Sequence, residues 1–188
     1  MPINKNYNFS SNALSTKLGR EVSSYATRCA TNKFNPDYLK LSEMMCWDAV
    51  LYCIFKADAI KKNLADKLIG KAYTEDSSDY MEADCTIVGS AGEMMKVPQG
   101  SLLGFFREEG NNSTLIHAML ATGAGCAAGN KNGCVGIGGA VGWEILDIAN
   151  TINWMPLQRE VNIVPKGKIG TNAVRLRYKS IESFCDRA

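Results

Sequence analysis

A chain of 188 residues that is 46% hydrophobic and 21% charged is long enough for one domain with a real core, and its balance is that of a globular protein in water. A formal charge of +2, with no basic run interleaved with aromatics, argues against nucleic acid or an anionic membrane as a partner. No apolar stretch reaches the about 18 residues that a membrane helix needs; the nearest, Val135–Ile148, is Gly-rich and carries Glu144 and Asp147.

The N-terminus, "MPINKNYNFSS", lacks the basic start and apolar run of a secretory signal. Synthesis in the cytosol follows, and export would need a specialised secretion system that ignores such signals. "ALSTKLGREVSSYATRCA" has mixed helical character, and "NKFNPDYLK" reads as a turn-rich connector. From Leu41 to Gly70 the spacing is helical, with "DAIKKNLADKLIG" either extending the helix or starting a second. Ser42 is placed to cap the start, and Gly70 to stop the end. The acidic "TEDSSDYMEADC" (74–85) reads as an exposed loop.

The second half changes character. "CTIVG", "GSLLGFF", "STLIHAMLATG", "CVGIGG", "WEILDI", "VNIVP" and "NAVRLRYKS" are short runs separated by Gly, Asn and Pro, as in an antiparallel sheet. Helices first and strands second predict an α+β fold in a single domain, 1–188, with 1–40 as an N-terminal extension and helix and 41–188 as the core. "GAGCAAG" (123–129) has the outline of a dinucleotide fingerprint. That motif needs a helix to open at its last glycines, and "NKNGCVGIGG" cannot open one. The better reading is a hairpin with "GAG" as the turn.

Seven cysteines without dense regular spacing predict reduced thiols rather than a disulfide framework. With no C-x-x-C pair and one histidine, neither a zinc site nor another cofactor is expected. A cysteine nucleophile needs a stabilised thiolate, an imidazole to take its proton and a polar group to orient that imidazole. Cys46 opens the helix that carries Trp47, Val50, Leu51 and Ile54, and His117 lies in an apolar strand. The hairpin brings residues 129–132 back towards His117, where Asn130 and Asn132 are the polar choices. Glu144 and Asp147 are the acidic alternatives on the next strand. The other six cysteines, Cys134 among them, read as inert filler.

These segments resemble the NlpC-type cysteine peptidases, a branch of the papain-like superfamily. "CWDAVLY" (46–52) is similar to that family's C-S-G-L-V-x-Y, and "VPQGSLLGFF" (97–106) to its Pro-Gly strand. "HAMLATGAG" (117–125) keeps the Gly-x-Gly turn at the family's offset from the histidine. The resemblance implies a papain-like fold, a nucleophile helix packed on an antiparallel sheet, and thiolate chemistry on an amide bond. By position it makes Cys46 the nucleophile and His117 the base. The family's third polar residue falls on Gly129, so Asn130, one step on, takes that role through a bulge. The substrate implied is peptidoglycan, a peptide or a protein, as for a bacterial toxin or effector with an inhibitor or immunity partner. Deamidase or transglutaminase-like chemistry on a protein target is the alternative, as is a non-catalytic binding module of the same fold. Trp47 and Asp48 depart from the small residues of wall hydrolases.

Overall fold

The computed structural model describes residues 15–72, 74–109, 112–137, 142–155, 167–169 and 172–186. Helix α1 (Lys17–Thr31) is capped by Thr16, whose hydroxyl accepts from the Gly19 N–H. Val22, Tyr25, Ala26 and Cys29 form its buried stripe, so α1 belongs to the core and is not an extension of it. Asn35 caps α2 (Pro36–Glu43), which begins on a proline, where the missing N–H is no loss.

The helical run after Leu41 is broken twice. Met44 and Met45 are extended, so α2 ends and α3 (Cys46–Lys56) starts afresh, followed by α4 (Lys62–Leu68). Ser42 does not cap α3; its hydroxyl donates to the Tyr38 carbonyl and accepts from the Trp143 N–H. Gly70, at φ +82°, lies just past α4 as expected of a stop. The acidic stretch is not a loop but α5 (Glu75–Glu82), capped by Thr74. Ser77, Ser78 and Met81 give it a buried side, and the Ser78 hydroxyl accepts from the Leu115 N–H.

The strands are β1 (Thr86–Val88), β2 (Leu102–Glu109), β3 (Asn112–Gly123), β4 (Cys126–Gly129), β5 (Glu144–Asp147), β6 (Asn153–Trp154), β7 (Gly167–Ile169) and β8 (Asn172–Lys179). They form an antiparallel sheet in the order β5-β4-β3-β2-β8-β7-β6, with β1 also paired to β8. "CVGIGG" is not a strand where it is described; Asn132–Val135 make a 3₁₀ turn, enclosed by left-handed Lys131 and Gly136. "VNIVP" (161–165) lies outside the described residues. The fold is therefore α+β, with helices packed on an antiparallel sheet.

The two faces of the sheet carry separate cores. Leu102, Phe106, Leu115, Ala118, Leu120 and Ala128 meet α1, α3 and α4 on the first face. There Trp47 Nε1 donates to the Leu68 carbonyl and Trp143 Nε1 to that of Ala26, so both indoles are buried without a stranded N–H. Leu103, Phe105, Met119, Ala121 and Ala127 meet α6 (Ala91–Met94) and α7 (Ile148–Thr151) on the second face.

Candidate active site

The expected hairpin is present. Gly123, Ala124 and Gly125 turn the chain at φ +97°, +49° and +78°, and the register Leu120↔Ala128 brings β4 back along β3. Across β3, Phe105 pairs with His117 and Phe106 with Leu115, so Ile116 is an extra residue in the ladder. Such a bulge re-aims the side chains beside it. Cross-strand partners share a face; His117 therefore projects with Phe105 into the second face, its ring centroid 5.5 Å from the phenyl.

Strand β4 ends at Gly129, and the chain then folds over this same face. A Cβ at Gly129 would stand 2.8 Å from Met119 Cγ, so only glycine lets the strand pass so close. Asn132 places Oδ1 2.9 Å from His117 Nε2. Its Nδ2 donates to the Gly129 carbonyl at 3.2 Å and to Glu144 Oε1 at 3.3 Å. Two residues on, Cys134 places Sγ 3.4 Å from His117 Nδ1 and 3.7 Å from the Ile116 carbonyl. Thus a thiol, an imidazole, an amide and a carboxylate stand in one chain of contacts.

The contacts assign the protons. Both hydrogens of the Asn132 amide nitrogen have acceptors, so Oδ1 faces the ring and His117 Nε2 carries the ring proton. Nδ1 is then a lone pair facing the Cys134 thiol. Burial, which the Asn132 bond only partly offsets, pushes the His117 pKa down to about 4, so the ring is neutral at pH 7. Burial also raises the Glu144 carboxyl above its ordinary range, against the opposing bond from Asn132.

The expected site residues are divided by the sheet. His117 is fully buried on the second face, whereas Cys46 opens α3, which packs on the first. Among the described contacts, the ring nitrogens face Asn132 and Cys134. Asn130 does not orient His117. Alternation along β4 turns it to the helical face, where Nδ2 donates to the carbonyls of Leu41 and Met44. It thereby ties the sheet to the segment entering α3. Asp147 instead caps α7 through Asn150. Cys53 is core filler as expected, fully buried with its thiol pKa raised well above the ordinary value by burial. Cys134 is not filler: it is exposed and touches the one histidine.

The missed signal was the spacing N-x-C directly after the hairpin. If the returning strand carries residue 132 to the histidine, residue 134 arrives with it. Asn130→Ala should then be a stability variant. Loss of two donors to buried carbonyls is expected to cost roughly 2 kcal/mol in urea unfolding, with the His117 ring resonances unmoved.

Compared with protein-family models, with curated proteins and with solved structures, the chain matches none of them.

Proposed function

We propose that the protein is a cysteine hydrolase of amide bonds in which Cys134 is the nucleophile, His117 the base and Asn132 the group that orients the base. The observation that carries this reading is the contact of Cys134 Sγ with the lone-pair nitrogen of a histidine whose other nitrogen is held by Asn132. This reading keeps the reaction class and the base suggested by the sequence, and the contact of Sγ with the ring supports Cys134 rather than Cys46 as its nucleophile.

In the resting site the pair is thiol and neutral imidazole, because burial disfavours the imidazolium. The proton of Sγ–H passes to Nδ1 as sulfur adds to the carbonyl carbon. The C–N bond then breaks, and the amine leaves with the proton from Nδ1. Water next adds to the thioester, giving a proton to Nδ1, and Sγ departs and recovers it. Throughout, Nε2–H stays on Asn132 Oδ1, which stabilises the ring while it is charged. Gly133, between Asn132 and Cys134, is exposed, and a side chain there would meet open space. The substrate class implied by the resemblance is a peptide amide, of the cell wall or of a protein.

Iodoacetamide at pH 7 tests the reactivity of the thiol. Cys134 is expected to be labelled first among the seven. Cys29, Cys53, Cys85 and Cys185 all have raised thiol pKa values, Cys185 to about 11, with burial the leading cause. Peptide mapping that showed Cys46 alkylated ahead of Cys134 would count against the assignment.

A further inference from the structure

The Asn132 amide has two faces to choose between, and the choice decides which nitrogen of His117 is basic. We propose that Glu144 is a positioning residue that sets this choice, and with it the tautomer that makes Nδ1 the proton acceptor for Cys134. The inference rests on the proposed thiol chemistry for its consequence, but not for its geometry.

Glu144 pairs with Gly129 across β4 and β5, so its side chain shares the face of Asn132. With the amide as found, Nδ2 has acceptors in Glu144 Oε1 and the Gly129 carbonyl, and Oδ1 has a donor in the ring. Turning the amide over would set Oδ1 against two oxygens that have only lone pairs to offer, and would present Nδ2 to the ring. His117 would then have to accept at Nε2 and carry its proton on Nδ1, facing Cys134. A protonated Nδ1 cannot take the thiol proton. Without Glu144 only the Gly129 carbonyl resists that turn, so the carboxylate is the part of the latch that a side chain supplies. Glutamine at this position can present an oxygen to Nδ2 or, turned over, an N–H to Oδ1, so it holds the amide with a weaker preference; alanine offers neither.

Because His117 is the only histidine, its two ring nitrogens can be read without ambiguity from nitrogen-15 spectra of the full chain at pH 7.5. The wild type is expected to show the Nε2–H tautomer. Glu144→Ala should move a measurable fraction of the ring to Nδ1–H, and Glu144→Gln, which can pair with the amide either way up, should fall between alanine and wild type. With an amide substrate, Glu144→Ala should lower kcat about ten-fold with little change in KM, and Glu144→Gln should lower it less. An Nδ1–H ring in the wild type, or an Nε2–H ring unmoved in Glu144→Ala, would overturn the inference whatever the activity. The expected tautomer shift in a protein that hydrolyses nothing would leave the latch standing and remove the proposed function instead.

Discussion

Cys134→Ala is expected to lower amide hydrolysis at least about a thousand-fold, the scale on which removal of a nucleophile acts in such relays. His117→Ala should match it, because a nucleophile and its base act as a unit. Cys46→Ala should stay within a few-fold of wild type, since α3 packs on the face of the sheet away from the ring. New amines released from purified peptidoglycan and from an unfolded protein give the readout, and the substrate that yields them decides between wall and protein targets. The reverse pattern, with Cys46→Ala inactive and Cys134→Ala active, would restore the nucleophile that the resemblance names. It would require the helix N-terminus and the histidine to meet in an arrangement other than this one. Wild-type levels in both variants would reduce the relay to a satisfied buried histidine, as in a binding module.

Stability should fall as the pH drops below 6.5, and His117 should be the cause. Its folded pKa of about 4 lies below the ordinary 6.5 because burial opposes the charge. The unfolded chain therefore takes up the proton first. The contribution is complete above 6.5 and is lost progressively down to about 4. With 1.36 kcal/mol for each pKa unit, the whole effect is about 3 kcal/mol, of which about 2 is gone by pH 5. Glu144 works the other way. Its folded pKa is raised, so it adds stability as the pH falls towards the ordinary carboxyl range. Urea unfolding at pH 7.5 and pH 5 in wild type and His117→Gln isolates the histidine. The variant is expected to lose most of the difference, and an equally steep decline in both would show that the ring titrates normally.

Several expectations depended only on local chain chemistry, and these match the structure. The helical spacing between Leu41 and Gly70 is met by α3 and α4, though not at the Met44–Met45 break, and the β3–β4 hairpin follows from a Gly-x-Gly turn whose residues adopt positive φ. Where local signals competed, tertiary packing decided. The stretch 74–85 reads as an exposed acidic loop, yet Thr74 caps a helix in it and Met81 anchors that helix under the sheet. "CVGIGG" has the composition of a strand, but left-handed Lys131 and Gly136 close its described part into a 3₁₀ turn.

The candidate site divides in the same way. That His117 is the candidate base, and that a residue near 130 returns to it, follows from a single histidine ahead of a tight hairpin. Which residue returns is decided by a turn. Alternation alone would leave Asn130 and Asn132 on one face, but the left-handed Lys131 between them breaks the strand, so Asn130 stays bound to the helical layer while Asn132 is delivered to the ring. A bulge at Ile116 helps to decide what stands next to that ring. Spacing along the chain determined that a thiol, an imidazole and an amide were available. Only the sheet, by sending Cys46 and His117 to different layers and carrying Cys134 over the ring, decided which thiol the imidazole meets. A one-residue shift reverses the face of a strand, and no linear pattern records it.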